Sequence, residues 1–255
     1  MFFFGYILPY AAAAVFVVGM VRRTWDWLSR PVPLPLTVSS VAGGRRARAA
    51  AVAKELVLFP SLYRGDRRLW LSAWLMHASL LVVLVGHTVG IAFAAQQFRY
   101  FGASKEASVW LSGAMGLLVG LVFTVALLTV LYRRAANVEV KRISGPDDYL
   151  ALVLLLCVAA SGLAMRYSAE VDLAEVRTYL AGLLVFRASP LPRAWLFLVH
   201  FAAVNALLLY FPFSKLVHLT GAFVGRSLLV QPPPVYPTPA DGPTAAPLFS
   251  QGDRP

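Results

Sequence analysis

Apolar residues in this chain come in long unbroken runs, not at the alternation of a half-buried strand or the 3.6-residue spacing of a half-buried helix. Five runs, at 2–21, 69–95, 109–131, 149–165 and 194–213, contain no Asp, Glu, Lys or Arg. A helix rises about 1.5 Å per residue, so some 20 apolar residues cross the roughly 30 Å hydrocarbon layer of a bilayer. The runs predict five membrane-spanning helices. The fourth is short by that measure, and the second is long enough to tilt or project. The first run follows Met1 with no basic stretch before it and no small-residue cleavage pattern, so a retained helix is expected and not a signal peptide.

Composition agrees. The 255 residues are 59% hydrophobic and 14% charged, with a mean hydropathy of +0.68, which is a polytopic membrane protein and not a soluble domain. The net charge of +11 raises nucleic acid as a partner until the basic residues are placed. Segment 22–68 carries ten Lys and Arg, 132–148 four and the stretch from 214 three, against two in 96–108 and four in 166–193. By the positive-inside rule the N-terminus lies outside and the C-terminus in the cytoplasm. Topology therefore accounts for the charge, and no nucleic-acid partner is expected. The fold class is all-α, a five-helix transmembrane bundle. Residues 1–223 form the membrane domain with a cytoplasmic insert at 22–68, and 224–255 form a Pro-rich cytoplasmic tail.

Two stretches between and beyond the spans have their own character. Pro31, Pro33 and Pro35 open an extended segment, and the Arg- and Ala-rich sequence from Arg45 to Phe59 is basic at one end and apolar at the other, as an interfacial helix would be. Residues 231–255, rich in Pro, Ala and Gly, are expected to be extended. The single cysteine, Cys157, excludes an intrachain disulfide, a Cys-ligated iron–sulfur cluster and a covalently attached haem. Its apolar neighbours predict a small buried core residue.

The chemistry rests on four histidines, His77, His87, His200 and His218, in or beside two of the apolar runs. Ionisable groups in hydrocarbon are costly without a partner, and imidazole is a usual axial ligand of haem iron. His77 and His87 are ten residues apart, about 15 Å of rise and some 80° of rotation along one helix. His200 and His218, eighteen residues apart, would share one face of a continuous helix at about 27 Å. With the two spans running in opposite directions, His77 matches His218 in depth and His87 matches His200. Two haems so held would lie about 20 Å apart along the membrane normal, with tilt reconciling the unequal spacings, and would form an electron path across the bilayer. Interhelical hydrogen bonding is the plainer use of a membrane histidine. A proton relay or a haem-free anchor are the rival function classes. A shared zinc or copper ion is disfavoured by the distance between histidines on one helix. Gly86 and Gly90 beside His87, and Gly113, Gly116 and Gly120 on the third span, would give a macrocycle room or simply let helices pack closely. Arg133, Arg134 and Lys215 would serve haem propionates or anchor helix ends.

Three stretches carry a family resemblance. The opening MFFFGYILPY, the Met76–His87 segment with its H-x9-H spacing, and the Leu209–His218 segment ending FPFSKLVH resemble the gamma, or cytochrome b, subunit of respiratory nitrate reductase. The resemblance implies that the four histidines hold two b haems, one near a quinol site on the outer side and one facing a cytoplasmic iron–sulfur subunit. It also implies quinol binding by Lys105, Gly86 and His87. The longer first loop, the LFPSLYR sequence before the second span and the KLVHLTGAF sequence look closer to a sister branch. That branch is the membrane cytochrome of the sulfite-reductase-linked menaquinol complex and of heterodisulfide reductase. The function expected is electron transfer between (mena)quinol and a cytoplasmic iron–sulfur partner, in a prokaryotic plasma membrane, with the terminal reduction performed elsewhere. A genuine nitrate reductase gamma subunit feeding a molybdoenzyme is the nearest rival.

Overall fold

The computed structural model describes residues 2–29, 45–168, 170–187 and 189–229. The Pro-rich segments at 31–35 and 231–255 lie outside them. Every element among the described residues is helical. A π-helical turn, Phe3–Ile7, leads into α1, Leu8–Ser29. The Ala-rich segment expected at the interface forms α2, Arg45–Leu58, and Pro60 at a first helical position opens α3, Pro60–Gly65. Helix α4, Arg67–Phe93, is N-capped by Asp66, whose carboxylate accepts from the Leu69 N–H at 2.9 Å. Helix α5, Lys105–Ala136, begins at a Ser104 cap and ends on Arg133 and Arg134, which complement its dipole. After the short α6, Val138–Arg142, Pro146 starts α7, Pro146–Met165. Then come α8, Leu173–Leu184, α9, Trp195–Tyr210, and α10, His218–Leu229.

Five helical stretches are long and apolar enough to cross a membrane: Phe3–Ser29, Arg67–Phe93, Lys105–Ala136, Pro146–Met165 and Trp195–Phe213. They coincide with the five runs and extend past them where polar caps lie beyond the apolar stretch. The chain is a multi-pass membrane protein. Its outward-facing side chains are apolar, with Val18 at 66%, Leu81 at 62% and Leu118 at 64% exposure, because lipid is the solvent on those faces. Cys157 is exposed on such a face and not buried. In a membrane helix an apolar neighbourhood does not imply an interior position.

The described residues form two compact units, one from the chain up to Arg23 and from Phe59 to His218, the other from Thr24 to Leu58 and from Leu219 onward. In the first, α4 packs along α5, α5 along α7 and α7 along α9. Phe123, Leu127 and Leu152 form one core cluster with Met76 and Leu80 against it, and Val176, Tyr179, Phe197 and Phe201 form a second. In the other unit, Trp27 lies against Gly221, where a Cβ would come within 3.1 Å of the indole.

Helix α8 falls in a stretch expected to be a loop. Val176, Tyr179 and Gly182 are its buried positions, a helical spacing in a segment too polar to be a span. Tyr179 donates to the Gly5 carbonyl, Tyr10 donates to Leu183 O at 2.8 Å, and Arg177 donates to Ile91 O and Ala92 O. Helix α8 thus ties down the start of α1 and the carbonyl end of α4.

The last span is not one continuous helix up to His218. It ends at Tyr210, passes through 3₁₀ turns at Phe211–Phe213 and Lys215–Val217, and restarts as α10 at His218. Pro212 supplies no N–H and its ring obstructs the preceding turn. The 27 Å separation of His200 and His218 on one helix face therefore does not hold. The break removes the fixed spacing that tilt was expected to reconcile. Gly19 of α1 braces it: a Cβ there would lie 2.4 Å from the Pro212 ring, and Arg23 Nε donates to Pro212 O at 3.3 Å.

Candidate functional site

The structure brings the four histidines together in the two pairs expected from depth. His77 on α4 and His218 at the start of α10 approach with Nε2 to Nε2 at 3.4 Å, their rings 5.8 Å apart and nearly perpendicular at 83°. His77 Nδ1 lies 2.7 Å from the Ala73 carbonyl, and His218 Nδ1 2.9 Å from the Lys215 carbonyl. Phe59 packs edge-on to the His77 ring at 5.4 Å, from a left-handed backbone conformation with φ of 50°, which is strained for a bulky side chain.

His87 on α4 and His200 on α9 face each other with parallel rings, 6.3 Å between centroids and 7° between planes. His87 Nδ1 is 2.8 Å from the Val83 carbonyl. His200 Nδ1 reaches α7, at 3.1 Å from Val158 O and 3.0 Å from Ser161 Oγ. Ser161 donates its own O–H to the Cys157 carbonyl at 2.6 Å and so can accept from the imidazole. Gly162 makes the approach possible, since a Cβ there would come within 3.3 Å of His200 Cε1.

A carbonyl has no proton to give, so each Nδ1 must be the donor. The hydrogen-bond partners thus assign all four rings to the Nδ1–H tautomer, with a bare Nε2. In the first pair two Nε2 lone pairs then confront each other, which is repulsive unless an electrophile or a proton lies between them. Fixing Nδ1–H on an oxygen acceptor is how metal-bound imidazoles are oriented. Two opposed imidazole–metal bonds of about 2.0 Å place the nitrogens about 4 Å apart and the ring centres about 6 Å apart. The second pair has that ring-centre spacing, at 6.3 Å, and the first pair's nitrogens, at 3.4 Å, lie about half an ångström inside the 4 Å.

The size of the ligand set separates the candidate metals. Among the described residues no group of three or more His, Cys, Asp or Glu gathers around one point, so a bare zinc or copper ion would lack ligands. Haem iron brings four nitrogens of its own and asks the protein for only two axial ligands. Each pair fits that requirement.

The other sequence-selected residues divide. Gly86 and Gly90 have open space where a side chain would be. Gly116 and Gly120 are filled instead by α7: added Cβ atoms would lie 2.1 Å from an Arg166 guanidinium nitrogen and 2.9 Å from Leu163 Cδ2. That stripe serves helix packing, with Gly113 also facing Arg166 at 3.9 Å. Lys105 is exposed in the first turn of α5 and makes no hydrogen bond or ion pair with Gly86 or His87 among the described residues. Arg133 pairs with Asp66 at 3.2 Å, Arg134 with Asp148 at 3.2 Å and Lys215 with Asp148 at 2.7 Å. The Asp148 carboxylate beside Lys215 holds its ammonium above the usual lysine range. The Leu69 amide, first, and the Arg133 charge hold the Asp66 carboxyl below the usual carboxylate range. Sequence reasoning missed Phe59, Asp148, Ser161 and Gly162, each of which acts through a contact distant in sequence.

A model of the nitrate reductase gamma subunit family matches residues 60–237, which include all four histidines. The chain is 31% identical to the Hdr-like menaquinol oxidoreductase cytochrome b-like subunit of Archaeoglobus fulgidus, over 86% of this chain and 77% of that one. The protein of the same description from Archaeoglobus profundus is 30% identical, over 86% and 76%. The nitrate reductase gamma chain of Bacillus subtilis is 28% identical, over 60% of this chain and 72% of that one.

Proposed function

The chain belongs to the nitrate reductase gamma subunit family, and on that premise we propose that it is the dihaem cytochrome b subunit of a menaquinol-dependent respiratory complex. The observation that carries this is the donor set: two facing imidazole pairs, each ring fixed through Nδ1 and each presenting Nε2. His77 with His218 would hold one haem b and His87 with His200 a second. Bound haem supplies reversible one-electron transfer, and the redox chemistry belongs to it and not to the side chains. The protein's part is to fix ligand orientation, exclude water and set the separation of the two sites, about 15 Å along the ten residues of α4.

Orientation follows from the basic loops, with the His77–His218 site toward the cytoplasm and the His87–His200 site toward the outer face. Menaquinol would bind beside the outer site at Gly86, His87 and Lys105, where the missing Gly86 side chain leaves space and Lys105 would carry charge near the ring oxygens. Protons would leave on that side and electrons would pass inward to an iron–sulfur subunit docked at the basic face. The archaeal menaquinol oxidoreductase relatives cover more of this chain, at higher identity, than the nitrate reductase relative does. That favours an iron–sulfur partner of heterodisulfide-reductase type over a molybdoenzyme.

The test is to mix the purified, oxidised chain in detergent with menadiol and follow visible absorption. Haem reduction in the wild type, slowed at least about tenfold in a Lys105→Ala variant of unchanged haem content, is the expected result. Haem that dithionite reduces and menadiol does not would contradict the quinol assignment. The subunit that co-purifies with the chain then identifies the acceptor.

A further inference from the structure

His218 differs from the other three histidines in what holds its ring. His77, His87 and His200 donate to carbonyls of regular helices, at Ala73, Val83 and Val158. His218 donates to Lys215 O, in the 3₁₀ turn that follows the Pro212 break. A short 3₁₀ turn has poorer hydrogen-bond geometry than an α-helix and holds its carbonyl direction only if something outside it does so.

Asp148 supplies that hold from α7. The Lys215 residue that gives His218 its carbonyl also extends its ammonium to Asp148 Oδ2 at 2.7 Å and to Asp147 Oδ2 at 3.8 Å. The Asp148 side chain is only 7% exposed. It is locked in turn by the Gly145 N–H at 3.0 Å and by Arg134 at 3.2 Å, while Arg134 also donates to Ser144 Oγ at 2.8 Å. Tyr210 donates to the Asp147 carbonyl at 2.8 Å, so the end of α9 is fixed to the same turn of α7. Ser214 Oγ accepts from the Leu216 N–H at 3.1 Å and closes the turn locally.

We propose that the Asp148–Lys215 ion pair is a positioning device for the His218 ligand: it fixes the carbonyl that orients the imidazole, and so sets the redox potential of the haem that His77 and His218 hold. This inference rests on the haem reading above. A carbonyl accepting from Nδ1–H makes the imidazole a more basic ligand, which favours the ferric form and lowers the potential. Loosening the turn from either side of the ion pair weakens that bond and raises the potential.

Through-space charge alone predicts something different. Removing the Asp148 negative charge would raise the potential and removing the Lys215 positive charge would lower it. The experiment is therefore a double-mutant cycle of D148N and K215M, read by optical redox titration and by the ferric low-spin signal of each haem. Both single variants are expected to raise the potential of the same haem, changing its reduction equilibrium about tenfold, or roughly 59 mV for one electron. The double variant should move no further than the larger single one, the other haem should stay put, and Lys215→Arg should restore the wild-type signal. Shifts of opposite sign, or none, would overturn the proposal. Should D148N fail to fold, the sign of the shift in K215M, at an exposed residue, decides alone. Wild-type protein carrying no haem would overturn the haem reading itself, a result distinct from haem present and unmoved.

Discussion

The two histidine pairs are built on different scaffolds. His87 and His200 sit inside continuous helices, and their rings are parallel to within 7°. Their Nδ1 acceptors are helix carbonyls and a serine on the neighbouring α7. His77 shares α4 with His87, but its partner His218 lies beyond a broken helix, and the two rings cross at 83°. His87 takes a carbonyl one turn back on its own helix, and His200 takes one from the regular helix packed against it. A ligand beyond a break needs its carbonyl held by other means, here a buried carboxylate and two cations. The second arrangement is the more tunable and the more fragile.

Histidine substitution has the largest effect that would separate the pairs. His87→Ala or His200→Ala should remove one haem and leave the other, and His77→Ala or His218→Ala should do the converse, as read by haem quantified per polypeptide. If either kind of variant emptied both sites, the pairs would not be independent. Next is Gly162→Leu, which places a side chain where His200 Cε1 stands 3.3 Å from even a Cβ. Haem at the His87–His200 site should bind about 10–100-fold more weakly, with the other site intact. Ser161→Ala is milder, since His200 keeps Val158 O. It should cost about 0.5–1.5 kcal/mol of stability in thermal release of that haem.

The smallest effects are in pH, and they act at opposite pairs. Burial pushes the Tyr179 hydroxyl up to about 12, so its stabilisation is complete below the ordinary phenol value near 10 and is lost as pH rises toward 12. Tyr179 packs on Phe201, beside His200, so alkali should loosen the His87–His200 haem first, and Tyr179→Phe should remove that pH dependence. The Asp66 carboxyl is lowered, so its contribution is present above the ordinary aspartate value and fades as pH falls through the folded one. Asp66 caps the end of α4 nearer His77, and acid should therefore loosen the His77–His218 haem first. Haem absorbance followed through both titrations checks the order.

Much of this was legible in the chain because hydrocarbon tolerates so little. Uncharged runs marked the spans, and four histidines with depth-matched spacings marked the pairs. Helix α8 was missed because its apolar positions follow a helical period in a segment too polar to span. The break at Pro212 was missed because an apolar run reads as one helix unless the proline is weighed. Cys157 was misplaced because apolar neighbours mean lipid as readily as protein. The residues that contact or brace the histidine pairs, Asp148, Ser161, Gly162 and Phe59, carry no local signal. Asp148 reads as a helix-start acid, which it is, and only the fold places it 2.7 Å from the Lys215 ammonium. For Gly116 and Gly120 the sequence left room for a macrocycle and close helix packing equally open, and the fold decides for packing, against Arg166 and Leu163.

The most direct test is low-temperature electron paramagnetic resonance of the freshly purified, air-oxidised chain, with haem quantified in the same sample. Two haems per polypeptide and two low-spin ferric signals are predicted. The perpendicular His77–His218 ligands should give the more anisotropic signal, lost in His218→Ala, and the parallel His87–His200 ligands the more rhombic one, lost in His200→Ala. A folded chain without low-spin haem would contradict the account and return the four histidines to hydrogen bonding between helices.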